Sequence, residues 1–129
     1  MTRIFSIAVL ASLALFSFAS RADGECDAYR TSYDRTYCTA KLFLESDKEL
    51  NAVYGELRAL SDNATRLKLK DAQLSWIRYR DATCESDGSI DVDCNYRENR
   101  VRAEYLRDRV RECKAGTCRD DMTIRRSWN

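Results

Sequence analysis

Six cysteines constrain this chain more than any other feature. Cys26, Cys38, Cys84, Cys94, Cys113 and Cys118 all follow an N-terminal block that is uncharged from residue 4 to residue 20. Met1, Thr2 and Arg3 precede that block, and small residues close it, so residues 1–22 read as a secretory signal. Cleavage after Ala22 fits the small-x-small rule through Ser20 and Ala22; cleavage after Ala19 fits less well. The block is shorter than the ~20 apolar residues of a spanning helix, so no stable membrane insertion is expected once the signal is removed. An even number of cysteines behind such a signal reads as disulfides in an oxidising compartment, periplasmic or extracellular. A zinc site is the rival reading. The chain has no His and no Cys-x-x-Cys pair to support it, so no metal is expected. What remains is small enough that cross-links do part of the work of a core.

Residues 23–129 contain no Pro, few Gly and no alternating strand pattern. The expected fold is all-α: a small disulfide-bonded three-helix bundle built on a long antiparallel helical hairpin, with residues 23–113 as the domain and 114–129 as a polar tail. Residues 23–36 form an irregular or weakly helical lead-in. The first helix is expected over 36–60, with Phe43, Asp47, Leu50, Tyr54 and Leu57 on its inner face. Ser61, Asp62 and Asn63 are capping residues at a short turn. They also account for Asn63 and Thr65, which match a glycosylation sequon. The second helix follows over 64–83.

That second helix has an unusual inner face. Leu69, Gln73, Trp76 and Arg80 recur at helical spacing, so an amide, an indole and a guanidinium face inward together. A short turn makes the first two helices antiparallel. Asp47 then falls level with Arg80, Tyr54 with Gln73, and Asn51 near Trp76. The expectation is a satisfied structural network with Asp47 and Arg80 as an internal ion pair. Meeting another protein through this face is the alternative.

Residues 85–93, ESDGSIDVD, read as an acidic loop bent at Gly88. The third helix starts at 92 or 94 and ends near Cys113, with Tyr96, Asn99, Ala103, Leu106, Val110 and Cys113 on one stripe. Its remaining arginines alternate with acids and read as a solvated face. Cys113 and Cys118 can pair across the Gly116 turn. Three connectivities remain for the other four cysteines. Pairing Cys38 with Cys84 and Cys26 with Cys94 is preferred, because Cys38, Cys84 and Cys94 lie toward the end of the bundle away from Ser61.

The formal charge of +1 falls once Arg3 and Arg21 are removed, which argues against a nucleic-acid partner. The absence of His removes the common Ser-His and Cys-His nucleophile systems. Acids abound, but none has a recognisable glycosidase context. No enzyme activity and no cofactor is expected.

Asp47, Leu50, Asn51 and Tyr54 resemble a D-x-x-L-N-x-x-Y motif. Leu69, Ala72, Gln73, Trp76, Ile77, Tyr79, Arg80, Asp81 and Cys84 resemble L-x-x-A-Q-x-x-W-I-x-Y-R-D-x-x-C. With the flanking Cys26 and Cys38, Gly88 and Ser89, and Cys94 followed by Arg100 and Leu106, the chain resembles the LprI-type lysozyme-inhibitor family up to about Cys113. The resemblance implies a helical extracytoplasmic domain that inhibits lysozyme. The family's founding member is a lipoprotein; here Cys26 lacks the Leu-small-small run of a lipid-attachment signal.

The expected function is therefore that of a secreted or periplasmic, non-enzymatic protein that blocks a lysozyme or related muramidase. Glu85, Ser86, Asp87, Ser89, Asp91 and Asp93 are the candidate partner contacts, since lysozymes are usually basic and complementary charge speeds encounter. A merely solvated acidic loop is the plain alternative. An arginine of the third helix pairing with the hydrolase's catalytic carboxylates is another. At the level of function, the alternatives are a structural or envelope-stress module without a hydrolase target, and an immunity protein against a secreted peptidoglycan hydrolase.

Overall fold

The computed structural model describes residues 24–118 and 120. The expected signal at 1–22 and most of the polar tail lie outside them. Three helices run in the order α1 (Ser32–Leu60), α2 (Asn63–Cys84) and α3 (Val92–Lys114). Between α2 and α3 sit two short strands, β1 (Glu85–Ser86) and β2 (Ser89–Ile90). No described helix is long and apolar enough to cross a membrane.

Each helix starts on a side-chain cap. Thr31 accepts from the Asp34 amide, Asp62 from Thr65 and Asp91 from Cys94, which satisfies one of the orphan amides at each N-terminus. The Thr65 amide also holds the Asp62 carboxyl below its ordinary value. At the other end of α1, the Ser61 amide bonds back to Arg58 and its hydroxyl to Leu57. Asp62 then caps α2 at once, and the chain reverses.

α2 runs back along α1. Arg66 Nε donates to the Arg58 carbonyl at 2.9 Å near the turn, and Arg80 reaches Asp47 at 3.9 Å further along. α3 reverses again: Arg102 bonds Gln73 and Arg80 bonds Asn99. α1 and α3 are therefore parallel, with ion pairs from Glu49 to Arg107 and from Glu56 to Lys114. Their backbones make the closest helix–helix approach. Small residues permit it, Ser46 on α1 and Ala103 on α3, both buried. α2 meets the pair through longer side chains, Leu69, Gln73 and Trp76.

This arrangement corrects the inner face of α1. Its buried residues are Ser46, Leu50, Val53 and Leu57. Phe43, Asp47 and Tyr54 are half-buried on the flank of that stripe. The stripe turns toward α3 because α3, not α2, is the closest neighbour. On α3 the expected stripe is buried except for Cys113, which is half-buried, and Asn95, Arg102 and Arg109 join it. The core is Leu50, Val53, Leu57, Leu69, Trp76, Ala103, Leu106 and Val110.

The disulfides are Cys26–Cys38, Cys84–Cys94 and Cys113–Cys118. The last is as expected. The other two replace the preferred Cys38–Cys84 and Cys26–Cys94 pairing. The reason is local: Cys84 ends α2, Cys94 lies in the first turn of α3, and the strands between them fold back so that their Cα atoms are 5.5 Å apart. Closing loops this short stabilises by about 3 kcal/mol in the chain-entropy model. No disulfide joins α1 to α2 or α3, so packing and polar contacts hold α1 against the other two.

Candidate functional site

Two groups of residues were singled out by the sequence, and the structure treats them differently. The polar residues of α2 are drawn into a network spanning all three helices. Trp76 is only 2% exposed. Arg80 stacks on its ring at 5.3 Å, donates from Nε and Nη2 to Asp81 Oδ1 at 3.0 and 2.8 Å, and from Nη1 to Asn99 Oδ1 at 3.0 Å. Asp47 is the more distant partner at 3.9 Å. It also accepts from Asn51 at 3.1 Å and, at 3.5 Å, from Asn99. Asn99 is fully buried and donates to Ser46 as well.

Gln73 faces α3 and not Tyr54: its Oε1 accepts from Arg102 Nε at 3.0 Å. Arg102 itself is a departure from the solvated face expected of the α3 arginines. It is 2% exposed, with its guanidinium over Tyr105 at 5.3 Å and Trp76 at 5.9 Å. Burial pushes its pKa down to about 10, which still leaves it protonated at neutral pH. Arg109 lies on Tyr105 at 5.2 Å and donates to Glu112. Guanidinium groups lying over rings explain how a helix this charged still builds a core. The sequence places Asn99 on the inner stripe of α3 without giving it partners, and Arg102 is the buried residue that sequence reasoning missed. Its signal is present, since Asn95, Asn99, Arg102 and Leu106 lie on one helical face.

The acidic loop is a β-hairpin. Glu85 pairs with Ile90 and Ser86 with Ser89. Asp87 and Gly88 have φ of 51° and 75°, the two left-handed residues that a type I′ turn requires. Asp-Gly is the sequence signal for such a turn. The base is closed twice, by the Cys84–Cys94 disulfide and by the Asp91 amide donating to the Cys84 carbonyl at 2.8 Å. Every residue from 85 to 91 is exposed. The hairpin is thus a pinned projection.

Its six candidate contacts are not equivalent. Asp91 is the α3 cap, and Asp93 pairs with Arg97 one turn on. Glu85 and Asp87 have no ion pair among the described residues. Ser86 and Ser89 flank the turn with their side chains exposed.

Charge is divided between the two ends. The hairpin lies at the end of the bundle opposite Ser61, as does the start of α1. Residues 24–45 and 85–93 together hold eight acids against three bases; residues 46–84 and 94–118 hold ten acids against fourteen bases. One end of the molecule is an acidic pole, and the body behind it is basic. A groove of about 390 Å³ lies along α3, lined by Tyr96, Arg97, Arg100, Glu104 and Arg107. Arg97 and Arg107 are already paired, with Asp93, and with Glu49 and Glu104. That leaves the acidic pole as the larger unbalanced field. No cluster of three metal-ligating side chains occurs among the described residues.

These features define a small, disulfide-clipped helical protein, polarised in charge, with a rigid hairpin at its acidic end. A family model described as lysozyme inhibitor LprI matches residues 24–126. The chain belongs to the lysozyme inhibitor LprI family. No curated protein and no solved structure matches it.

Proposed function

We propose that this protein is a periplasmic or secreted, non-enzymatic inhibitor that blocks a basic lysozyme-like muramidase with its acidic pole. The hairpin enters the cleft of the hydrolase. Glu85 and Asp87 meet the basic rim, and Ser86 and Ser89 offer hydroxyls to polar groups inside it. Asp91 and Asp93 add to the field, while their carboxylates cap and brace α3.

The observation that carries this reading is the doubly closed hairpin at Cys84–Cys94, presented on the acidic end of a member of this family. A projection already held in one conformation loses little entropy when it binds. A pole of one sign raises the encounter rate with a partner of the other sign by ~10- to 1,000-fold at low salt.

The test is a titration of the purified, oxidised protein into a panel of lysozymes, read as lysis of peptidoglycan. Inhibition is expected to weaken with salt, and to weaken in the Glu85→Gln/Asp87→Asn variant. Undiminished lysis by every lysozyme at micromolar excess would remove the reading and favour a structural envelope module. Full inhibition by the variant would remove the hairpin as the contact.

A further inference from the structure

We propose that the N-terminal half of α1 is the second half of the docking surface, with Tyr33, Tyr37 and Leu44 as its apolar anchors. The proposal rests on the inhibitor reading above and names residues that reading does not use.

The first buried residue of α1 is Ser46; nothing from 32 to 45 is buried. Asp47 is level with Arg80, and α2 ends only one turn later, at Cys84. At 1.5 Å per residue, α1 therefore extends roughly 15 Å past the start of the hairpin. A helix end without a core beneath it ordinarily frays. This one is fastened. Thr31 caps it, Arg35 donates back to the carbonyls of Tyr29 and Arg30 at 3.0 and 3.3 Å, and Cys26–Cys38 clips the lead-in to its second turn.

The fastened segment carries apolar groups facing water. Tyr33 is 77% exposed, Tyr37 58% and Leu44 65%. At 100° per residue the three fall within roughly 40° of one another around the helix, turned 40–80° from Asp47, the residue that meets α2. The lead-in, Gly24 to Asp27, faces Asp93, Tyr96 and Arg97 of α3 across a shared groove, on the other flank. Lys41 sits over the Tyr37 ring at 5.2 Å and holds it by one face. On the hairpin, Ile90 is 64% exposed at the same end.

Exposed tyrosines on a rigid support, ringed by charge, have the composition of an interface core. What covers them is decided by charge. The two segments at this end, residues 24–45 and 85–93, hold eight acids against three bases, so an acidic partner is repelled and a basic one attracted. The occupant is the same basic hydrolase whose cleft takes the hairpin, and the tyrosines lie against the surface beside that cleft. The hairpin supplies the fast encounter; the tyrosines supply the slow release.

The experiment compares three proteins against one lysozyme that the native protein inhibits: native, Tyr33→Gln/Tyr37→Gln, and Glu85→Gln/Asp87→Asn. Binding kinetics are measured at two salt concentrations, with thermal unfolding as the control for folding. Because both tyrosines are exposed, the tyrosine variant is expected to melt within a few degrees of the native protein. It is expected to dissociate at least ten-fold faster with its salt dependence unchanged. The hairpin variant is expected to associate more slowly, with a shallower salt dependence. Native dissociation from the tyrosine variant, alongside a weakened hairpin variant, would overturn this proposal and leave the inhibitor reading standing. Failure of the native protein to inhibit any lysozyme would overturn both.

Discussion

Trp76→Ala tests the packing on which the bundle depends. The ring is 2% exposed and lies in the core formed with Leu50, Val53, Leu57, Leu69, Ala103, Leu106 and Val110. An indole buries on the order of 200 Å², which at ~25 cal/mol per Å² gives ~5 kcal/mol as an upper value. Truncations of this kind measure ~3–5 kcal/mol, depending on how far the cavity collapses. Collapse is restricted here, because Arg80 and Arg102 lean on the ring from two helices and are themselves tied to Asn99 and Gln73. A domain of this size shifts its melting point by about 4–8 °C per kcal/mol, so the variant is expected to melt at least ~12 °C below the native protein. Against a total stability of ~5–15 kcal/mol, it stands near the edge of folding. Thermal unfolding followed by circular dichroism, with the disulfides intact, reads the effect. Trp76→Leu, which fills part of the space, is expected to lose clearly less. A drop under ~4 °C for Trp76→Ala, with partner binding lost, would refute the reasoning and make this face of α2 an interface.

Gln73→Leu removes the acceptor for Arg102 Nε inside the core and is expected to cost about 1–3 kcal/mol by denaturant unfolding. Cys84→Ser/Cys94→Ser is expected to leave a folded bundle, destabilised by no more than about 3 kcal/mol, that inhibits less well because the hairpin base is held by one amide alone. Asp91→Asn keeps the α3 cap while removing its charge and should melt like the native protein; Asp91→Ala loses the cap and is expected to cost ~1 kcal/mol. The Asp62 carboxyl lies below its ordinary value because the Thr65 amide and hydroxyl favour the charged form. Its contribution is therefore complete above that ordinary value and is lost as the pH falls through the lowered one. Asp62→Asn is expected to flatten the acid limb of the stability curve, checked by melting between pH 2 and 6.

Much of the architecture can be read without coordinates. The helical periods around Leu50, Leu69 and Leu106, the capping run at Ser61 and Asp62, and the absence of Pro fix three helices and the antiparallel return of α2, since these are properties of neighbours along the chain. The second-helix motif likewise resembles the family's, and the family model matches residues 24–126. Asp87 and Gly88 also encode their turn locally, and a loop reading of 85–93 passes over that signal.

Tertiary structure decided the rest, wherever a residue had more than one neighbour to choose from. Counting back from a single turn offers Gln73 only the partners on α1, yet α3 supplies Arg102. The same counting rotates the α1 stripe toward α2, although Ser46 and Ala103 let α3 approach more closely. The helical face shared with Asn95, Asn99 and Leu106 marks Arg102 as inward, but only packing supplies the Trp76 and Tyr105 rings that lie against its guanidinium. Cysteine pairing follows the same rule, because which thiols meet depends on how the chain folds between them. The amino-acid order determined the helices, their caps and the charge of each segment, all of which act over a turn or two. Which faces met, which thiols joined, and which acids and tyrosines were gathered at one end depended on helices packing across distances that local propensity does not span.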